Sequence, residues 1–166
     1  MRTAENAENL RAAGFDAHVF DLDDGYTGLD DRGLAALASA THVLATVPPV
    51  ADFDRDPLLA LHGDALAAEG ASLRWAGYLS TTSVYGDHGG GWVDEHSALN
   101  LDEPQAAAMV AAEASVRRGA TATVIRPAGV YGNPEGMLMR RVRASEGGGT
   151  DTPYGNRIHR DDLSRL

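Results

Sequence analysis

Residues 75–87 read Trp75-Ala76-Gly77-Tyr78-Leu79-Ser80-Thr81-Thr82-Ser83-Val84-Tyr85-Gly86-Asp87. A largely apolar run, Trp75 to Leu79, ends in the hydroxyls Ser80 to Ser83, then an aromatic residue, a glycine and an acid. A buried parallel strand reads as a short apolar run of this kind. In open α/β sheets, ligands bind just beyond the carboxyl ends of such strands. Hydroxyls there can donate to and accept from a carbonyl or an alcohol. The same stretch also reads as a Ser/Thr-rich turn that only caps a strand.

On either side, helical and strand patterns alternate. Glu5 to Ala13 is helical in pattern and stops at Gly14; Ala17 to Phe20 reads as a strand ending at Asp21. Asp23 to Asp31 is a Gly/Asp loop, followed by a short helix, Gly33 to Ser39. His42 to Thr46 is an apolar strand broken by Pro48-Pro49. Pro57 to Glu69 is a helix with Asp56 as its N-cap and Gly70 as its stop. Beyond the organising strand lies a long polar loop, Gly86 to Asn100. Glu103 to Arg118 follows as an Ala-rich helix with Asp102 as N-cap, Pro104 in its first turn and Gly119 at its end. Thr121 to Ile125 is a β-branched strand. Pro134 to Ala144 is helical in pattern, and Gly147-Gly148-Gly149 is a flexible break. Arg157 to His159 is a short strand, and Asp161 starts a last helix. Strands alternating with helices predict an α/β fold: a partial Rossmann-type parallel sheet with helices on both faces.

The chain has 166 residues, of which 43% are hydrophobic and 23% charged. That predicts one globular domain over residues 1–166, long enough to bury about 70% of its unfolded surface. There are no cysteines, which excludes disulfides, thiolate metal sites and cysteine nucleophiles and fits a reducing, cytoplasmic setting. No apolar run approaches the roughly 20 residues that span a bilayer, and the polar, acid-bearing segment Met1 to Arg11 is unlike a signal peptide. No membrane partner is expected. The net charge is −10, which argues against nucleic acid as a partner. All 14 basic residues are arginine. A chain without lysine has no Schiff base, no Walker lysine and no lysine-assisted tyrosine.

The segment Tyr78 to Gly90 resembles the extended short-chain dehydrogenase/reductase superfamily, the NAD-dependent epimerase/dehydratases, in an atypical branch. Three further segments agree in order: Val47-Pro48-Pro49, Arg126-Pro127-Ala128-Gly129-Val130-Tyr131-Gly132, and Asn156 to Leu163 with its His-x-Asp-Asp-like run. The resemblance implies an NAD(P)-dependent protein acting on a nucleotide sugar or similar alcohol. It makes Thr81 the hydroxyl that orients the reacting oxygen. It places Asp21 and Leu22 beside adenine, Thr46 and Val47 beside the adenosine ribose, and Pro127, Ala128, Gly129 and Val130 in the turn beside the nicotinamide amide. Arg2 matches a position that meets the 2′-phosphate of NADP; it also reads as a plain terminal charge.

Two departures from the family stand out. In relatives a Pro-Tyr-x-x-x-Lys-x-x-x-Glu pattern carries the acid–base pair. Here Pro104 and Glu113 hold the outer positions, Gln105 falls on the tyrosine and Met109 on the lysine. Neither an amide nor a thioether can do that chemistry. Tyr85 is the nearby candidate for proton transfer, with core packing of its ring as the plainer role. The second departure is the Gly-rich turn that holds the cofactor pyrophosphate. Nothing comparable precedes residue 17, and Gly25-Tyr26-Thr27-Gly28 follows the wrong strand. The chain is thus expected to be truncated at both ends relative to the family, and to bind NAD or NADP weakly.

Whether the chain is itself an enzyme stays open at this point. One alternative is a non-catalytic, degenerate or truncated relative with weak nucleotide binding or a structural role. Another is a metal-dependent hydrolase at Asp87, His88, Asp94, Glu95 and His96, whose side chains suit divalent metals; the loop's spacing argues for no metal site. The missing strands leave a gap in the sheet. Direct parallel pairing of Ala17 to Phe20 with His42 to Thr46 is expected to close it, with pairing to a second copy, a homodimer, or detachment of the first strand as the other outcomes.

Overall fold

The computed structural model describes residues 3–22, 28–49, 56–67, 72–119, 122–144 and 155–165. Helix α1 (Ala4–Ala12) opens on Thr3, whose hydroxyl accepts from the Asn6 amide at 3.2 Å. Strand β1 (Phe20–Asp21) pairs antiparallel with β2 (Gly28–Leu29). Helix α2 (Asp31–Ser39) is capped by Asp30, which accepts from the Gly33 amide at 2.8 Å. Strand β3 (His42–Ala45), helix α3 (Pro57–Ala67) and strand β4 (Trp75–Leu79) follow. After a 3₁₀ turn (Thr82–Tyr85) come helix α4 (Pro104–Gly119), strands β5 (Ala122–Ile125) and β6 (Gly129–Tyr131), and helix α5 (Met137–Arg143). Strand β7 (Arg157–His159) and helix α6 (Arg160–Leu163) complete the order.

The organising sheet is β3-β4-β5, parallel throughout, with Ala45 opposite Tyr78 and Tyr78 opposite Val124. That register stacks these three side chains on one face. Ala45, Tyr78, Val84, Tyr85, Met109 and Ala112 form the buried core, with Leu58 and Leu59 of α3 and Val110 of α4 packed against it. On the other face Trp75 lies across Gly77, so closely that a Cβ there would sit 2.1 Å from the ring. The Trp75 indole N–H donates to Thr123 Oγ1 at 3.1 Å, tying β4 to β5. Strands β6 and β7 form a separate parallel pair.

Several expectations are corrected. Ala17 to Phe20 is not a strand along its length; only Phe20 and Asp21 are extended, and they pair with Gly28 and Leu29 rather than with His42 to Thr46. The reason lies in α3. His62 Nε2 accepts from the Leu29 amide at 2.9 Å and its ring lies tilted against Phe20, 5.9 Å between centres, holding the β1–β2 pair against that helix. Gly28 and Leu29, expected as loop, therefore form a strand, and Asp31 is already helical. Asp56 does cap α3, accepting from the Leu59 amide at 3.0 Å. The α4 cap is Glu103 rather than Asp102: its Oε2 accepts from the Ala106 amide at 2.7 Å. The segment Pro127 to Val130 is not wholly a turn, because Gly129 and Val130 enter β6 and pair with Arg157 and Ile158. The expected stop at Gly70 and the Gly147–Gly149 break lie outside the described residues.

Candidate ligand-binding cleft

The 3₁₀ turn that follows β4 builds one wall of a cleft of about 240 Å³. The Ser80 amide donates to Ile125 O at 2.8 Å and the Thr82 amide to Pro127 O at 3.1 Å, so the exits of β4 and β5 are tied together. This linkage brings Thr82 and Tyr85 opposite Val124 and Arg126; Val93, Asp94 and Glu95 of the polar loop and Asn156 before β7 close the rim. The loop is brought back by Gly86, whose φ of 71° suits glycine, and by the Asn100 amide, which donates to Val84 O at 2.8 Å.

Behind the cleft is a buried ionic cluster. Arg126 donates through Nε to Glu113 Oε1 at 2.9 Å and through Nη2 to Glu113 Oε2 at 2.6 Å, a bidentate pair. Such forked pairing is shorter and stronger than a neutral hydrogen bond. The Glu113 side chain is 2% exposed and that of Arg126 11%. Ser80 Oγ adds a donor to Glu113 Oε1 at 2.6 Å. Glu113 holds the Arg126 pKa above its usual value. The third donor, Arg126 Nη1, reaches the Tyr85 hydroxyl at 2.9 Å, and the guanidinium carbon lies 5.1 Å from the Tyr85 ring centre. With a lone pair occupied by Arg126, the Tyr85 hydroxyl keeps its own hydrogen for an acceptor. Hydrogen bonds to Ser97 Oγ and the His96 amide keep Asp94 below its ordinary 3.8. The cleft thus offers hydroxyls, an amide and two acidic side chains at the rim, with Arg126 already paired to Glu113.

The expected site residues separate into groups. Tyr85 reaches the cleft, and its ring also belongs to the core, as the plainer reading expected. Thr81 caps the 3₁₀ turn: its hydroxyl accepts from the Ser83 amide at 3.2 Å and meets Ser83 Oγ at 2.9 Å. Its neighbour Thr82 lines the cleft instead. Asp21 and Leu22 stand at and just after the end of β1, while Thr46 and Val47 follow β3. Pro127 supplies the carbonyl that holds Thr82; Ala128 joins it to Gly129 and Val130 in β6. Arg2 and most of the Gly25–Gly28 segment lie outside the described residues. Gln105 is exposed, whereas Met109 is buried, its Sδ accepting from the Tyr78 hydroxyl at 3.6 Å. Burial, with the Asp56 and Glu113 charges, pushes the Tyr78 pKa up and keeps it neutral. Sequence reading missed the Glu113–Arg126–Tyr85 cluster. The available signal was an acid in a mostly Ala helix and an arginine directly after an apolar strand.

The metal reading finds no support in geometry. Among the described residues no three His, Asp or Glu side chains gather as metal ligands. His88 Nε2 instead donates to Tyr85 O at 3.0 Å. Among the described residues no helix is long and apolar enough to cross a membrane.

Solved structures that resemble the chain include two. A functionally unknown conserved protein from Silicibacter pomeroyi DSS superposes with a TM-score of 0.74 at 32% identity, over 99% of this chain and 55% of that one. A candidate NAD-dependent epimerase/dehydratase from Methylobacillus flagellatus superposes with a TM-score of 0.61 at 24% identity, over 97% of this chain and 63% of that one. The chain therefore spans less than two thirds of the length of either. The second likeness shows a shared fold, a Rossmann-like α/β arrangement. No protein-family model matches the chain, and no curated protein matches it significantly.

Proposed function

We propose that the chain is an NAD-dependent epimerase/dehydratase-like protein of the extended short-chain dehydrogenase/reductase type, whose cleft takes a nucleotide sugar or a similar alcohol. The observation that carries the reading is the cleft itself: Thr82, Tyr85 and Arg126 converge where β4 and β5 end. That is where open α/β sheets bind ligands. A sugar hydroxyl would accept from Tyr85 and exchange hydrogen bonds with Thr82 and Asn156, while Val93 and Val124 face its C–H surface. NMR titration with glucose and with UDP-glucose tests the site. Shifts centred on Thr82, Tyr85 and Asn156 are expected; shifts centred on another surface would sink the proposal.

A second reading, binding without turnover, is favoured by α4. Gln105 and Met109 stand where the acid–base pair would be, and Met109 is sealed in the core. The cofactor fits these residues only in part. Asp21, Thr46 and Val47 lie at strand ends that suit an adenosine, but the Thr3 hydroxyl at the start of α1 is already taken up by the Asn6 amide. The group NAD(P) would supply hydride chemistry where it is held; these residues make no pyrophosphate cradle for it. Charged hydrogen bonds are worth about 1.5–3 kcal/mol each, so lacking two or three weakens binding about a thousandfold. Calorimetry with NADH and NADPH is expected to show no low-micromolar site and no turnover; a tight site would overturn this second reading.

A further inference from the structure

Among the described residues that line the cleft, Arg126 is the one basic side chain. Its charge is already matched. Glu113 accepts from its Nε at 2.9 Å and its Nη2 at 2.6 Å, and Ser80 Oγ donates to the same carboxylate at 2.6 Å. A guanidinium has five N–H donors and no acceptor. In its 2.9 Å contact with Arg126 Nη1, the Tyr85 hydroxyl oxygen must therefore accept. Tyr85 is 8% exposed, and this contact leaves its own hydrogen to donate.

The rim has the opposite sign. Asp94 and Glu95 line the cleft and are exposed. Hydrogen bonds from Ser97 Oγ and the His96 amide to Asp94 Oδ1 favour its charged form. The whole chain carries −10. An entering phosphate would meet acids at the mouth and a matched arginine behind them. An arginine that recognises phosphate does so with its fork, through two parallel N–H bonds. Here Glu113 fills the fork. The cleft is also small, about 240 Å³, against roughly 300–1,000 Å³ for sites that take drug-sized ligands.

We propose that Glu113 sets the ligand class of the cleft: by filling the fork of Arg126 it leaves a site for a polyol of monosaccharide size that carries no phosphate. The inference rests on the reading of the cleft as a sugar or alcohol site and chooses between the two kinds of ligand named there. An oxygen of such a polyol accepts from Tyr85 and needs no counter-charge. Glu113 acts through Arg126, as a positioning residue that determines specificity. A nucleotide sugar would have to leave its diphosphate at the acidic mouth, which weakens its hold.

NMR titration of the whole chain, read at Thr82, Tyr85 and Asn156, tests this by comparing glucose with glucose 1-phosphate, which carries phosphate where a nucleotide sugar does. The phosphate ester is expected to bind about tenfold more weakly at low salt. Glu95→Gln is expected to narrow that gap about threefold. Raising salt from about 0.01 M to about 1 M should narrow it too, because the screening length falls from about 30 Å to about 3 Å. Glu113→Gln, checked for folding by circular dichroism, is expected to bind glucose 1-phosphate and inorganic phosphate several-fold more tightly than the native chain. A merely structural role for Glu113 would produce no such gain. Ser80→Ala, which loosens Glu113 without removing it, is expected to move the same way to a smaller degree, and it keeps the test decisive if Glu113→Gln does not fold. Glucose 1-phosphate binding at these residues as tightly as glucose would overturn the inference and leave the cleft reading standing. Glucose that moves none of the three signals would overturn both. Folded Glu113→Gln and Ser80→Ala chains that gain no phosphate affinity would overturn the role of Glu113.

Discussion

Met109 shows how a buried residue is tied to one specific partner. Its thioether accepts from Tyr78 inside the core. Met109→Lys would put an ammonium where a neutral, buried partner now sits. We expect a loss of about 2 kcal/mol or more, since buried charge is costly unless paired, read as a lowered urea midpoint; an unchanged midpoint would show that the position opens to solvent. Glu113 makes the converse case. Glu113→Ala strands the Arg126 guanidinium, and breaking a buried pair costs about 3–5 kcal/mol. His62 supplies a pH dependence. Burial holds its folded pKa below the ordinary 6.5, and its Nε2 must stay unprotonated to accept from Leu29. The unfolded chain takes up the proton first, so stability falls as pH drops below about 6.5 and levels off once the folded-state value is passed. His62→Gln keeps an acceptor without titrating. Urea midpoints compared across pH should show a shallower acid slope in that variant, and equal slopes would exclude His62 as the source. None of these three roles could be read from local sequence. Each depends on a partner at least 13 residues away, at Tyr78, Arg126 and Leu29.

Elements were more legible than partners. His42–Ala45, Trp75–Leu79 and Ala122–Ile125 are short apolar runs, and each is a strand in one parallel sheet. The helix from Pro57 was marked by the acid before it, and that acid is its cap. Asp56→Ala should cost about 1 kcal/mol, the usual loss for such a cap, measurable by chemical denaturation. The β1–β2 pair was not legible, because two-residue strands have no period and are held by α3. Strand β6 was hidden for a different reason: Pro127-Ala128-Gly129 has turn chemistry, yet Gly129 already pairs with Arg157. Within the loop, Gly86 combines a φ of 71° with an Asn100 side chain 2.8 Å from where a Cβ would lie. Gly86→Ala should therefore cost about 1–3 kcal/mol, and an unaltered melting temperature would contradict the tight return of the loop.

At the scale of the whole molecule, the described strands form three small sheets, β1-β2, β3-β4-β5 and β6-β7, with no ladder joining them. Cooperative opening follows such units. Amides of Val43 to Ala45 and Gly77 to Leu79 should exchange with deuterium more slowly than those of Gly129 to Tyr131; equal rates would mean that the sheets open as one. The Rossmann-like character of the centre was legible from alternation alone, but its subdivision was not, because the joins lie in segments without hydrophobic pattern. The centre also carries an unforeseen convenience. The chain has two tryptophans. Trp75 is pinned by its indole N–H to Thr123 across the sheet, while Trp92 stands fully in solvent on the loop that borders the cleft. Excited together, they make a two-colour gauge within one unlabelled protein. Red-edge emission, fully open to iodide, reports the loop, and the bluer emission of the half-buried Trp75 reports whether β4 and β5 remain joined. Trp92→Phe would leave a single emitter whose spectrum follows the sheet alone.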